Sequence, residues 1–276
     1  MNIVDTNFEG ELATQIQEKK QAVLSQIIDK LSSDRDEEEN MNASEILTAL
    51  MDIKQFFTMI SKRATLQKLA GNAFDEDGTV ESKQASLELL SKFVQMYKEK
   101  QQQSYSPGDD SDNDMNKEDD EIIINEASDE EKDTVKDKAD AALIEILANT
   151  IAPMKLALLN SRLPTVMNSL NMQEIKPFGI TRLRIVELLA QLTKLNKPQI
   201  SEAIQEHNML AILISLVEMH PWNNFLQLKT QQIFEDLMES EVLTREEKFK
   251  LIKTSDVVEK LIKMSETPKC TFNSER

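Results

Sequence analysis

Apolar side chains recur every three to four residues along most of this chain, the spacing that places them on one face of an α-helix. Ile16, Val23, Leu24, Ile27, Ile28 and Leu31 mark a first helix. Ile46, Leu47, Leu50, Ile53, Phe56, Phe57 and Ile60 mark a second, and Leu87, Leu89, Leu90, Phe93, Val94 and Tyr97 a third. Further stretches follow at Leu143–Leu159, Leu183–Leu195, Ser201–Glu206, Met209–Glu218, Asn223–Met238, Glu246–Ile252 and Val257–Met264. The punctuation agrees. Pro198 stands where a first helical turn tolerates it. Thr244-Arg245-Glu246-Glu247 has the capping-box pattern, and Ser255-Asp256 can cap the last helix. His220-Pro221 separates two helices, because proline disfavours α geometry in the residue before it.

Helices with short connections from Phe178 onward suggest stacked repeats of about 40 residues. The expected fold is all-α, an armadillo/HEAT-like helical repeat solenoid interrupted by a disordered acidic insert; a helical bundle is the alternative. The chain divides into N-terminal helical repeats over 1–100, the acidic insert over 101–136, C-terminal helical repeats over 137–268 and a tail over 269–276. Composition supports the helical reading. Five Gly and seven Pro in 276 residues are few for folds rich in tight turns, and Leu, Ile, Lys, Glu, Gln, Ala and Met are plentiful. Cys270 is the single cysteine, so no intrachain disulfide or cysteine-based metal site is expected, in keeping with a reducing compartment. The N-terminus shows no basic segment followed by an apolar run, and the longest uncharged apolar stretch, Asn208–Val217, is short for a membrane span. A soluble protein of the cytoplasm, and also of the nucleus, is expected.

Charge changes the picture mainly through where it sits. With 32 Lys+Arg against 49 Asp+Glu the net charge is −17, which disfavours nucleic-acid phosphates and anionic membranes as partners. Thirteen acids and two lysines lie between Asp109 and Asp133, leaving −11 there. Asp34–Glu39 adds −4, so the remaining helical body is close to neutral. A segment so polar cannot bury enough surface to offset the entropy of ordering, hence the expected disorder. It carries signals of its own. Ser111-x-x-Asp114 and Ser128-Asp129-Glu130-Glu131 suit acid-directed kinases, and Ser106-Pro107 a proline-directed one, making Ser106, Ser111 and Ser128 candidate phosphosites. Ile122, Ile123 and Ile124, flanked by acids, resemble a SUMO-interacting motif, which adds as a strand to a partner sheet. The alternative is that these isoleucines pack on the protein's own helices.

Motifs of catalysis are missing. His207 and His220 have no second histidine or cysteine at ligand spacing. Neither phosphate-binding glycine loops nor a nucleophile elbow occurs. Asp110, Asp112, Asp114 and Glu121 match four positions of a calcium loop, but Met115 stands where glycine makes its turn. Asp75-x-Asp77-Gly78 reads as a turn between helices. No enzyme activity, cofactor or metal is expected.

One segment is distinctive. It opens Phe178-Gly179-Ile180-Thr181-Arg182-Leu183-Arg184, runs through Asn208-Met209-Leu210-Ala211-Ile212-Leu213 and reaches His220-Pro221-Trp222-Asn223-Asn224-Phe225-Leu226. It resembles the core of the SAPS-domain family, the phosphatase-associated regulatory subunits of protein phosphatase 6, in which a G-x-T/H-R-L helix start is followed roughly one 40-residue repeat later by W/Y-N-N-F-L-H. Gln227 stands in place of the last histidine. The strong likeness spans 178–238 and the rest follows more loosely, so a divergent or partial member is expected. The resemblance implies a helical scaffold, without catalytic activity, that binds a type-6 phosphatase catalytic subunit and recruits substrates or an ankyrin-repeat subunit. A helical-repeat adaptor for other protein partners is the alternative. Arg182, Arg184, Trp222, Asn223, Asn224 and Phe225 are then the partner-binding or repeat-core candidates. Trp222 and Phe225 share one helix face, as do Phe225 and Leu228, which suits anchors between adjacent repeats. Asn223 and Asn224 suit first-turn caps or a grip on a partner peptide. Cations near a helix start oppose the dipole, so Arg182 and Arg184 suit an ion pair, a partner contact or a solvated face.

Overall fold

The structure, a computed structural model, describes residues 4–32, 36–103, 140–160, 163, 165–167 and 174–266. The N-terminal part holds α1 (Val4–Asp29), α2 (Glu37–Met51), α3 (Lys54–Ile60), α4 (Arg63–Phe74) and α5 (Val80–Gln103). The chain resumes with α6 (140–149) and continues through α7 (Ile151–Leu159). A short antiparallel ribbon follows, with β1 (Val166–Met167) paired to β2 (Glu174–Ile175) in the register Val166↔Ile175. Then come α8 (Ile180–Thr193), α9 (Pro198–Glu206), α10 (Met209–Met219), α11 (Asn224–Glu239), α12 (Arg245–Ser255) and α13 (Val257–Glu266).

Every third helix stacks on the last. The row α2, α5, α8, α11 runs through the molecule, and α1, α4 and α7 form a second row beside it. The starts of α2 and α5, and of α8 and α11, lie about one 40-residue unit apart, as the armadillo pattern requires. The all-α helical-repeat expectation holds. One apolar cluster extends from Leu24 to Val257, so helices on both sides of the acidic segment share a core. Phe57 stacks on Phe93 at 5.1 Å between ring centroids, and Lys100 Nζ lies 3.5 Å from the centre of the Phe57 ring.

Polar bonds fix the rungs. Ser82 donates through its hydroxyl to the Leu31 carbonyl. Lys92 Nζ donates to the Thr48 carbonyl at 2.6 Å and pairs with Asp52 at 2.9 Å, placing a cation at the negative end of α2. Burial, and then the Asp140 carboxylate that hydrogen-bonds to it, raises the Tyr97 pKa; this contact ties the end of α5 to the start of α6. At the far end Thr193 Oγ1 donates to Asp236 at 3.2 Å and Ser240 Oγ to Asn196 Oδ1 at 2.5 Å. These bonds join the C-terminal ends of α8 and α11, so the two helices run parallel.

Several local expectations change. The single helix expected over Ile46–Ile60 breaks after Met51, because Ile53 is extended with φ −93° and ψ 117°. The helix α4 carries no strong repeat signal in the sequence, yet it buries Leu66, Leu69 and Ala73. Of the acidic Asp34–Glu39 cluster, Asp36 caps α2 by accepting from the Glu39 amide at 2.7 Å, and Glu37, Glu38 and Glu39 fill its first turn, where the dipole favours acids. Gln101–Gln103, assigned to the insert, continue α5. Ser255 belongs to α12 and donates to the Leu251 carbonyl, while Asp256 takes left-handed geometry between α12 and α13. Pro198 opens α9 and the Thr244–Glu247 capping box opens α12, both as expected. The turn at Asp75–Gly78 also forms, closed by the Gly78 amide on the Asp75 carbonyl at 3.3 Å. Asn196, Asn208 and Asp256 adopt φ near +50° at helix junctions, a role glycine usually takes and one Asn and Asp tolerate. By length and composition alone the 20-residue run Asp140–Leu159 is apolar enough to cross a bilayer; half of it is buried against other helices.

Candidate partner-binding site

The distinctive segment begins at Gly179, which precedes α8 with φ +82° and ψ 148°. That region of backbone space is open essentially to glycine alone, and a Cβ there would also collide with Leu163 Cδ1. Three residues on, Arg182 is 8 % exposed and turns back along the chain. Its Nε donates to the Phe178 carbonyl at 2.6 Å, Nη2 to Pro177 at 2.9 Å and Nη1 to Leu158 at 3.4 Å. The guanidinium carbon lies 4.6 Å from the centre of the Phe178 ring. Arg182 therefore ties the end of α7 and the approach to α8 together, with its charge beside the carbonyl end of α7. The expected solvated face or carboxylate partner is not what it has: it sits on the buried stripe that continues through Ile185, Val186, Leu189 and Thr193. Burial lowers its pKa from the ordinary arginine value. Arg184 is half-exposed and pairs with Glu187 at 3.1 Å, one turn along α8.

The Phe178 ring also meets His220 edge-on at 5.2 Å between centroids, which brings the loop before α11 against the start of α8. Burial, and then the Arg182 charge, lower the His220 pKa below 6.5. The loop turns tightly, with the Asn223 amide donating to the His220 carbonyl at 3.0 Å. Asn223 caps α11 as expected, its Oδ1 accepting from the Leu226 amide at 3.0 Å. Asn224 is exposed. Gln227, in the position of the family's histidine, donates through Nε2 to the Pro221 carbonyl at 2.5 Å and steadies the same turn.

Trp222 and Phe225 correct the repeat-core reading. They are 79 % and 68 % exposed, and Leu228 is 62 % exposed. The helix buries a different stripe against α8, made of Leu226, Thr230, Ile233 and Leu237. Trp222 lies in the turn before the helix, and Phe225 and Leu228 point away from the core.

The N-terminus of α8 opens on a cavity of about 660 Å³, bounded by the α4–α5 turn, α7 and Leu163. Val80, Leu156, Leu163 and Ile180 line it and are each about half-exposed. Sequence reasoning missed these four, because each falls on an ordinary helix or loop and only the stacking gathers them. Parallel packing puts the N-terminal ends of α8 and α11 on one edge of the solenoid. That edge presents both the cavity and the exposed Trp222, Phe225 and Leu228 side chains.

Ser106, Ser111, Ser128 and Ile122–Ile124 lie outside the described residues. Among the described residues no three His, Cys, Asp or Glu side chains converge as a metal site.

A family model described as SAPS, SIT4 phosphatase-associated protein, matches residues 1–271. The chain belongs to the SAPS family. The match reaches well beyond Phe178–Met238, so the N-terminal helices of this SAPS chain share the family's pattern with the distinctive segment. Its members are phosphatase-associated regulatory proteins, and this SAPS chain is one of them. No curated protein and no solved structure matches it significantly.

Proposed function

We propose that this SAPS chain is a non-catalytic subunit that binds the catalytic subunit of a type-6 protein serine/threonine phosphatase and directs it to substrates, acting in the cytoplasm and also in the nucleus. The observation that carries the reading is the family match over residues 1–271. The type-6 assignment and an ankyrin-repeat subunit as further partner rest on the likeness of Phe178–Met238 to the family core. The fold suits the role. A continuous core holds α8 and α11 rigidly in parallel, and their common edge offers Trp222 and Phe225 as aromatic anchors, the side-chain types that dominate interface energetics.

Purification of the tagged full chain followed by mass spectrometry tests the proposal. A type-6 catalytic subunit is expected among the captured proteins. Capture of a different phosphatase would overturn the type-6 assignment. Capture of partners with no phosphatase among them would favour the helical-repeat adaptor.

A further inference from the structure

Helix α12 carries a charge pattern that neither the core nor the family assignment explains. Beyond its first turn every charged side chain is a cation, Lys248, Lys250 and Lys253, and Arg245 adds a fourth at its start. Its two acids, Glu246 and Glu247, sit in that first turn. Glu247 is taken up by the capping box, accepting from the Thr244 amide and hydroxyl at 2.8 Å each. None of the four cations makes an ion pair or a side-chain hydrogen bond among the described residues. A cation near a helix C-terminus suits the dipole, which accounts for Lys253 but not for the residue that these side chains surround.

That residue is Phe249, 67 % exposed. Arg245, Phe249 and Lys253 recur every four residues and form one stripe on the outer face, with exposed Lys250 beside it. The helix buries its other side through Leu251 and Ser255. An aromatic ring in water among unpaired cations is complementary to an apolar group flanked by acids. The chain itself contains that complement. Ile122, Ile123 and Ile124 stand between Glu118-Asp119-Asp120-Glu121 and Glu126, within the stretch of net charge −11. Residues 104–121 and 125–139 connect the triplet to α5 and α6, and fully extended they reach about 60 Å and about 50 Å. The helix contacts α5–α8–α11–α10–α12, at about 10 Å each, keep α12 within about 40 Å of α5.

We propose that the outer face of α12 is a docking surface for the chain's own Ile122–Ile124 segment. The isoleucines cover the Phe249 ring, and the acids on either side pair with Arg245, Lys250 and Lys253. Tethering raises the effective concentration of the segment, so a contact too weak to hold two separate molecules is populated within one. A second copy of α12 is disfavoured as the occupant, because cations would face cations. The surface is separate from Trp222 and Phe225 and does not depend on which phosphatase the chain captures.

NMR of the full chain with labelled isoleucine methyl groups tests the assignment, with an acetylated, amidated Asn116–Ser128 peptide as the undocked reference. The Ile122–Ile124 signals of the chain should differ from those of the peptide, independently of chain concentration. They should move to the peptide positions when Phe249→Ser is combined with Lys250→Glu and Lys253→Glu, exposed substitutions that should leave the circular dichroism unchanged. High salt should move them the same way, by screening the ion pairs. Replacing all three isoleucines with serine, outside every described helix, should in turn shift the amide signals of Lys248–Lys253. Peptide-like signals in the unaltered chain, signals that ignore the α12 substitutions, or α12 amides that ignore the serine variant would each overturn the proposal. Shifts that grow with chain concentration would also overturn it, because the contact would then lie between copies.

Discussion

Replacing Trp222 with alanine separates a surface anchor from a core residue by energy alone. The side chain is 79 % exposed, so only about a fifth of its surface leaves water on folding. With about 250 Å² available, that is about 50 Å², or about 1 kcal/mol at 25 cal/mol per Å². The figure is an upper bound, because the unfolded chain already covers part of it. A tryptophan packed between repeats would instead cost about 3–5 kcal/mol on truncation. Urea unfolding followed by far-ultraviolet circular dichroism measures the difference. Trp222→Ala should keep the midpoint within the smaller loss and leave the slope unchanged, while weakening capture of the phosphatase catalytic subunit by about 2 kcal/mol or more if it is an interface anchor. Because Trp222 is the single tryptophan, fluorescence gives an independent reading. Native emission should resemble free tryptophan and be fully quenched by iodide. A stability loss near 3 kcal/mol, or emission shielded from iodide, would refute the surface placement.

Other outcomes follow from the same geometry. Gly179→Ala should destabilise by about 1–3 kcal/mol through its backbone conformation and the Leu163 contact. Gly71→Ala, in mid-α4 where an added Cβ meets nothing within 4 Å, should stabilise by about 0.5–1 kcal/mol; opposite signs in thermal melts check both. Arg182→Met should cost about 2–4 kcal/mol by orphaning the Phe178, Pro177 and Leu158 carbonyls, and Arg182→Lys should recover only part of it. His220 has its folded pKa below the ordinary 6.5, so the unfolded state takes up a proton first as pH falls. Its share of stability is complete above 6.5 and is lost as pH drops from there towards the folded value. His220→Phe keeps the edge-on contact and should flatten the fall of stability as pH drops below 6.5; equal slopes there would contradict it.

The repeat architecture was legible because helical periodicity, few glycines and local caps all agree. Thr244, Asn223 and Pro198 each took the role their neighbours suggested, since capping depends on three or four residues alone. The site was less legible. On α11 two apolar stripes interleave, Phe225 with Leu228 and Leu226 with Ile233 and Leu237, and spacing cannot choose which faces α8. The choice is made by the stacking of α8 on α11, a tertiary property. Arg182 was misplaced for a different reason. Its charge suggested water, whereas its position three and four residues before Ile185 and Val186 marked the buried stripe, and the free carbonyls at the end of α7 supply the partners. The cavity had no signal at all, because its walls come from α5, α7, α8 and Leu163, far apart in sequence.

The most direct test of the account is reconstitution of the purified full chain with a purified type-6 catalytic subunit, followed by light scattering on a sizing column. A stable equimolar complex, weakened by the Trp222→Ala and Phe225→Ala pair in a chain that remains folded, is the predicted result. Two separate peaks at micromolar concentrations of both proteins would contradict it.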